Sequence, residues 1–352
     1  MENKDKTDNL RFFAAANSYC GFISYFDKVF PSKAFNRIYV LKGGPGTGKS
    51  SFMKKMSSNL KEKECNIEEI YCSSDPHSLD GVIAEKNGRR IAIIDGTAPH
   101  ERDAVIPGAI DEIINLGDYW ESSWLTLQKD RILKLVNNKG NAYKTAYSYL
   151  CIAGKADKFI YESIGMIFDK TEAKNKAEEL FKDIPQETGG TITTRLIDSF
   201  GRHGEHRLDT LKRNSKSKIG VSGSSASISH FMNICADVLK QRGLSFVHFP
   251  LALDPTSTDA IFSPYKNLAI IRDEISDINA DDFLINPELT KECIKRSQAI
   301  KKDALEEAQR WFAVASEIHF ELEEIYGKAM DFNKNDLIFK AKLTEIDNIL
   351  EL

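Results

Sequence analysis

A glycine-rich segment that begins at residue 43 contains the residues whose types and spacing are best suited to chemistry. It reads Gly43-Gly44-Pro45-Gly46-Thr47-Gly48-Lys49-Ser50-Ser51 and fits the phosphate-binding pattern G-x-x-x-x-G-K-[ST] at every fixed position. Glycines allow successive backbone N–H groups to turn inward around a phosphate group. Lys49 would neutralise the outer phosphate oxygens, and the Ser50 hydroxyl would bind the Mg²⁺ ion that bridges them. The segment therefore predicts a site for a nucleoside phosphate with Mg²⁺.

A second group of suitable residues follows an apolar run. Residues 90–94 read Arg-Ile-Ala-Ile-Ile and lead to Asp95, the form of a strand whose terminal carboxylate holds Mg²⁺. Four titratable side chains follow in a turn-rich segment, namely His100, Glu101, Arg102 and Asp103. His100 could position water or substrate, and either Glu101 or Asp103 could act as a general base. Arg102 could stabilise a transferring phosphoryl group. With Lys49 and Asp95, these residues form the predicted catalytic set.

The glycine-rich segment needs a strand before it and a helix after it to act as a phosphate site. Residues 37–41 read as a buried strand, because they contain a β-branched and aromatic run. Residues 51–61 place Phe52, Met53, Met56 and Leu60 on one helical face. The loop is thus predicted to lie at a strand-to-helix junction, where the positive end of the helix faces the phosphate.

The chain contains an internal repeat. Phe52-Met53 recurs as Phe231-Met232, and Asp75-Pro76 recurs as Asp254-Pro255 at the same offset, with no gap between them. Later segments repeat at a shorter offset, which aligns Asp169 with Asp331. We expect an α/β fold with tandem-duplicated phosphate-loop NTPase cores over residues 1–185 and 186–352, each a mostly parallel, three-layer sheet. Residues 119–182 and 289–350 have apolar residues at helical spacing and predict a helical segment after each core.

The two copies differ at the residues that would do the chemistry. The second copy has Ser222-Gly223-Ser224-Ser225-Ala226-Ser227-Ile228-Ser229 in place of the glycine-rich segment, so Ile228 stands where Lys49 would be. The segment 96–110 has no counterpart in it. One competent nucleotide site in the first half and a pseudo-site in the second are therefore predicted. Asp75-Pro76 recurs in the degenerate copy, which favours a structural role as the cap of a short helix.

Bulk properties limit the partners of the chain. A net charge of −4 gives no general attraction to nucleic acid, so nucleic-acid binding is not expected. No apolar run in the sequence is long enough to span a bilayer, and no membrane association is expected. The six cysteines are scattered without paired spacing, which predicts a reducing compartment, the cytoplasm.

Several segments together resemble a family of uncharacterised bacterial ATPases that have two fused phosphate-loop halves. They are the glycine-rich segment 43–50 and the segments 71–82 (Tyr-Cys-Ser-Ser-Asp-Pro-His-Ser-Leu-Asp-Gly-Val), 95–100 (Asp-Gly-Thr-Ala-Pro-His) and 107–120. The resemblance spans nearly the whole chain. It implies ATP binding, hydrolysis and a duplicated fold, and it brings no established substrate. Members commonly keep a phosphate loop in both halves, and the second half of this chain departs from that pattern.

Three functions agree with the sequence. The leading one is a Mg²⁺-dependent ATP hydrolase, with adenine nucleotide expected by default and a substrate or protein partner left unnamed. The main alternative is a small-molecule or nucleotide kinase, in which residues 96–110 would hold the phosphate acceptor. A third is a non-catalytic nucleotide sensor whose helical segments bind a partner.

Overall fold

Each half of the chain contributes one six-stranded sheet and one β-hairpin. The computed structural model describes residues 10–351. The strands of the first half are Leu10–Phe13 (β1), Ala15–Ser18 (β2), Gly21–Ser24 (β3), Arg37–Lys42 (β4), Asn66–Tyr71 (β5), Leu79–Lys86 (β6), Arg89–Asp95 (β7) and Asp111–Asn115 (β8). Those of the second half are Ile192–Thr194 (β9), Asp198–Gly201 (β10), Gly204–Arg207 (β11), Ser217–Ser222 (β12), Phe246–Pro250 (β13), Thr258–Ser263 (β14), Leu268–Arg272 (β15) and Ile278–Asn279 (β16).

The two sheets have the same strand order. The first runs β1-β5-β6-β7-β4-β8, and the second, read from the corresponding edge, runs β9-β13-β14-β15-β12-β16. In each sheet one strand is antiparallel to its neighbours, β6 in the first and β14 in the second. The other neighbouring strands pair in parallel. The fold is therefore α/β with two mixed, mostly parallel sheets, as predicted at that level.

Helices lie between the strands of each half and also follow each sheet. They are Phe26–Val29 (α1), Lys49–Glu62 (α2), Ser122–Leu127 (α3), Lys129–Met166 (α4), Lys170–Leu180 (α5), Thr210–Asn214 (α6), Ser225–Gln241 (α7), Lys291–Ala329 (α8) and Phe332–Leu350 (α9). The long helices α4 and α8 pack antiparallel, because Lys139 contacts His319 while Asp157, further along α4, pairs with Lys301 near the start of α8.

The short helix at the end of each half packs on the sheet or helices of the other half. In α9, Ile346 and Leu350 are fully buried against Leu41 and Ile93 of the first sheet. The Lys63 Nζ and Asp347 Oδ1 atoms are 2.5 Å apart. In the opposite direction, α5 packs on α7 of the second half. The halves therefore exchange their terminal helices. The division of the chain into two domains between residues 185 and 186 stays a prediction.

The exchanged helices begin in the same way. Asp169 caps α5 by accepting hydrogen bonds from the backbone N–H groups of Thr171 and Glu172. Asp331 caps α9 through the N–H groups of Asn333 and Lys334. A carboxylate at this position satisfies N–H groups that the helix leaves unpaired.

Different layers cover the two faces of the first sheet. One face packs on α2 and α9 through alternate residues of β4 and β7, including Tyr39 and Ile91. The opposite face packs on α1 and on residues of the second half, and the Phe12 and Phe249 ring centroids are 5.9 Å apart. Among the described residues, no helix is long and apolar enough to cross a membrane.

Candidate functional site

The glycine-rich loop joins β4 to α2 and has the backbone that its sequence predicts. Gly43, Gly46 and Gly48 have φ values of +152°, +69° and +87°, which side chains with a Cβ atom rarely adopt. A Cβ atom at Gly43 would lie 2.6 Å from the Thr47 hydroxyl oxygen. That hydroxyl donates a hydrogen bond of 2.8 Å to the Gly44 carbonyl. Pro45 is partly exposed, and Ser51 is exposed on the first turn of α2.

Lys49 is the first residue of α2, and its side chain turns back over the loop. Its ammonium donates hydrogen bonds to the carbonyl oxygens of Gly43 (2.9 Å) and Gly44 (3.0 Å). It also lies 3.7 Å from Asp95 Oδ2. The predicted phosphate lysine and the predicted metal aspartate are therefore neighbours, although the rest of α2, β5 and β6 separate them in the sequence.

Ser50 and Asp95 each hold a local hydrogen bond. The Ser50 hydroxyl oxygen accepts a 3.0 Å bond from the Leu79 N–H group at the start of β6. Asp95 Oδ1 accepts bonds from the Thr97 N–H group (2.9 Å) and the Thr97 hydroxyl (2.6 Å). These bonds orient the two predicted metal ligands beside the loop.

Asp80 and His100 complete a compact cluster with Asp95. One ligand atom from each of the three side chains lies within 4.8 Å of the others. Burial raises the pKa of Asp80 to about 6, with His100 opposing the rise and the Asp95 carboxylate adding to it. The His100 ring stacks on Phe26 with a centroid distance of 4.5 Å. His100 was predicted for this site, whereas Asp80 was missed. Asp80 recurs as Asp259, at the offset that also relates Asp75 to Asp254, and by the reasoning used for Asp75 this recurrence favours a structural role, so no sequence signal pointed to Asp80.

The other residues predicted in the loop after β7 are placed differently. Glu101 is exposed, and the Asp103 side chain is 87% exposed with its carboxylate 2.9 Å from Lys42 Nζ. Arg102 is buried and donates hydrogen bonds to the Phe30 carbonyl (2.5 Å) and the Ser32 hydroxyl (3.0 Å). Its guanidinium also lies 3.7 Å from the buried Asp111 carboxylate. These partners occupy the Arg102 guanidinium, which favours a structural role over the predicted phosphoryl-stabilising one.

Replacing Arg102 with alanine should destabilise the fold and leave the turnover of folded molecules unchanged. The buried Asp111 carboxylate would lose its charge partner, and breaking such a buried pair costs about 3 kcal/mol. Urea unfolding measures this loss, and Glu101→Ala is the control, expected within about 0.5 kcal/mol of the wild type. A stable Arg102→Ala variant with strongly reduced turnover would restore the catalytic assignment.

Elements of the second half form one wall of the phosphate loop. A Cβ atom at Gly46 would lie 2.4 Å from the Glu323 carbonyl oxygen of α8, so only glycine fits there. Gly44 faces the ring of Tyr326 in the same helix. From α9, Asn335 Nδ2 donates a 2.9 Å hydrogen bond to the Thr47 carbonyl. The loop is therefore shaped by residues from the far end of the sequence.

Basic side chains from three further elements lie close enough to Lys49 or to Glu323 to act on them. Burial lowers the pKa of Lys139 on α4, with Glu323 opposing this effect and Lys49 adding to it. Burial also lowers the pKa of His319 on α8 to about 4, and both lysines contribute. Arg202 lies between β10 and β11 of the second half, and its Nη2 atom is 3.4 Å from Asp75 Oδ1. Clustered like charges of this kind favour an anionic ligand.

Asp75 occupies a turn and not the start of a helix. Its carboxylate accepts a 3.3 Å bond from the His77 N–H group, and its carbonyl accepts one from the Ser78 N–H group. No helix begins at His77. Asp75 therefore stabilises a turn and does not cap a helix as predicted. Its side chain also forms the ion pair with Arg202.

The first turn of α9 also contains a sequence pattern that bears on base recognition. Asn333-Lys334-Asn335-Asp336 fits N-K-x-D, the guanine-recognition tetrapeptide. The contact of Asn335 with Thr47 places this turn beside the phosphate loop. Asp336, which would recognise guanine, lies 2.8 Å from Lys55 Nζ. The expectation of adenine therefore needs a direct comparison with guanine.

The corresponding region of the second half has a shorter connection between strand and helix. Only two residues separate β12 from α7, whereas six separate β4 from α2. The Ser224 side chain caps α7 by accepting from the Ser227 N–H group, and Ile228 is buried inside the helix. Arg272 ends β15 as Asp95 ends β7, and it lies 3.2 Å from Asp259. A fixed arginine thus stands where the first half has a carboxylate.

Comparison with known proteins adds no family to these observations. No protein-family model, no curated protein and no solved structure matches the chain. The resemblance to two-half ATPases stays a prediction.

Proposed function

We propose that the chain is a Mg²⁺-dependent ATP hydrolase with one competent site, in the first half. The observation that carries the proposal is the position of Lys49, whose ammonium lies on the carbonyl oxygens of Gly43 and Gly44 and 3.7 Å from Asp95. This arrangement gathers the lysine, the backbone loop and a carboxylate at the positive end of α2. Those are the parts that phosphoryl transfer requires.

Each residue has a role that follows from its chemistry. The backbone N–H groups between Gly43 and Lys49 would bind the phosphates, and Lys49 would exchange the loop carbonyls for phosphate oxygens. Ser50 and Asp95 would hold Mg²⁺, which neutralises charge that develops on the leaving oxygens. His100 lies within reach of both aspartates and would help to position the attacking water.

We also propose that the chain is a tandem duplication in which the second half has become a pseudo-site. The identical strand orders support this, as do the matching helix caps at Asp169 and Asp331. The two-residue connection before α7 and the Asp259–Arg272 pair support loss of nucleotide binding there. Because α8 and α9 cover the first-half loop, hydrolysis would be coupled to the position of the second half. The cysteines, which are all free, support a cytoplasmic location.

Titration calorimetry with ATP and Mg²⁺ should therefore find one binding site per chain. Steady-state assays should detect phosphate release without an added acceptor. GTP titrated in the same way tests whether the tetrapeptide at Asn333 changes base preference, and we expect weaker binding than for ATP. Two sites of similar affinity would contradict the pseudo-site, and the absence of nucleotide binding would contradict the proposed function.

A further inference from the structure

Three side chains converge at the edge of the first sheet, beside the phosphate loop. Asp80 is the second residue of β6, Asp95 is the last residue of β7, and His100 lies in the loop that follows. Their ligand atoms all lie within 4.8 Å of one another. Because β6 and β7 pair directly, with Gly81 opposite Ile94, the backbone holds the two carboxylates side by side.

His100 is the feature of this cluster that needs an explanation. Its side chain is 6% exposed, and neither ring nitrogen has a hydrogen-bond partner in the part of the chain that the structure describes. Buried polar groups are almost always paired. The Nε2 atom lies 3.9 Å from Asp80 Oδ2, which is too long for a hydrogen bond. Two ligand atoms that share one metal ion, each about 2.1 Å from it, can be separated by up to about 4.2 Å.

The second half shows what these buried carboxylates require. Asp259, the counterpart of Asp80, lies 2.6 Å from an Arg207 nitrogen and 3.2 Å from an Arg272 nitrogen. In the first half no arginine contact is found for Asp80 among residues 10–351, and Lys49 is shared between Asp95 and the loop carbonyls. In the second half, arginine side chains thus neutralise the buried carboxylate, whereas in the first half a bound metal ion could take that role.

We propose that Asp80, Asp95 and His100 bind a first-row divalent transition-metal ion, such as Mn²⁺, Fe²⁺ or Co²⁺, without requiring nucleotide. The donor set is two carboxylate oxygens and one imidazole nitrogen. Mg²⁺ is bound mainly by oxygen ligands, whereas imidazole suits transition metals. This inference deepens the proposed function, and the catalytic relevance of the metal rests on that function. The metal site lies beside the glycine-rich loop, since Ser50 is hydrogen-bonded to Leu79, the residue before Asp80. The metal would then face the phosphates.

The test uses the full chain after chelator treatment, with no nucleotide present. Equilibrium dialysis against CoCl₂ or MgCl₂, followed by metal analysis, should find one Co²⁺ per chain, bound at least tenfold more tightly than Mg²⁺. Both His100→Ala and the isosteric Asp80→Asn should raise the Kd for Co²⁺ at least tenfold. The control is His203→Ala, which removes an exposed histidine outside the cluster and should leave the Kd unchanged.

Several results would overturn the inference. One is a folded wild-type chain that binds no Co²⁺, and another is Co²⁺ binding that survives both His100→Ala and Asp80→Asn. If those variants fail to fold, the thermal midpoint of the wild type decides, because Co²⁺ should raise it more than Mg²⁺ at equal concentration. Equal shifts would contradict the site. If the chain hydrolyses ATP with Mg²⁺ but does not bind Co²⁺, this inference is contradicted and the proposed function is not. If the chain binds Co²⁺ but no nucleotide, the proposed function is contradicted and this inference is not.

Discussion

Replacing Lys49 with alanine is expected to abolish ATP hydrolysis and to weaken ATP binding while the chain stays folded. Lys49 is the only side-chain cation in residues 43–50, and its ammonium already lies at the loop. Loss of a preorganised cation at a phosphoryl-transfer site should lower kcat by roughly a hundredfold or more. Two hydrogen bonds from the ammonium to carbonyl oxygens would be lost, each worth about 1.5–3 kcal/mol, so urea unfolding checks that the variant stays folded. Phosphate release and ATP titration measure the two effects.

Lys54→Ala is the matched control for this experiment. Lys54 is exposed on the same helix, so its removal changes the net charge equally without touching the loop. Its kcat should match that of the wild type. Undiminished turnover in Lys49→Ala, with Lys54→Ala also active, would refute the assignment of the phosphate site.

Arg202→Ala is expected to lower kcat at least tenfold while changing the affinity for ATP much less. Arg202 comes from the second half, contacts Asp75 and lies with its guanidinium 4.8 Å from the Phe320 ring centroid on α8. Both Arg202 and Lys49 lie near enough to Glu323 to oppose the rise that burial causes in its pKa. An arginine at that position can stabilise charge that develops on the phosphoryl group, and such an interaction appears mainly in kcat.

The design of this test separates charge from packing. Arg202→Lys keeps the charge but not the planar fork of donors, so it should recover only part of the rate. Arg296→Ala, on the exposed side of α8, is the control and should have no effect. Arg202 would have a packing role alone if the kcat of Arg202→Ala equals that of the wild type. The same conclusion would follow if its kcat falls only as much as the loss of folded protein explains.

The equivalent hairpin of the first half explains why only one arginine is expected to act. The sequences of the hairpins β2–β3 and β10–β11 align without a gap when Ala15 is paired with Asp198 and Gly21 with Gly204. Tyr19 then corresponds to Arg202. Tyr19 donates its N–H group to the Leu253 carbonyl of the second half, at 2.9 Å. Each hairpin thus reaches the opposite half, where Arg202 contacts Asp75 of the first half and Tyr19 contacts Leu253 of the second.

The position of the glycine-rich loop between a strand and a helix could be predicted from sequence because its determinants are local. The glycine positions, the apolar strand before them and the helical spacing of Phe52, Met53 and Met56 all lie within the segment 37–61. The repeat offsets also predicted paired elements, and the two sheets have matching strand orders. In the second half α7 begins at Ser225, ahead of the position that corresponds to Lys49, so the connection after β12 is shorter than the loop of the first half. The Ser224 cap was a local signal for that earlier start.

The sequence by itself thus determined the glycine-rich loop, the strand ending at Asp95 and the presence of Ile228 where the repeat offset aligns Lys49. Only the tertiary structure decided that α9 covers the first sheet, that Arg202 reaches Asp75, that Asp80 joins Asp95 and His100, and that Arg102 instead pairs with Asp111. The physical reason is that an apolar helix face indicates burial but not which of two similar sheets will bury it. A charged residue likewise does not indicate its partner, because that partner is set by contacts between segments far apart in the chain.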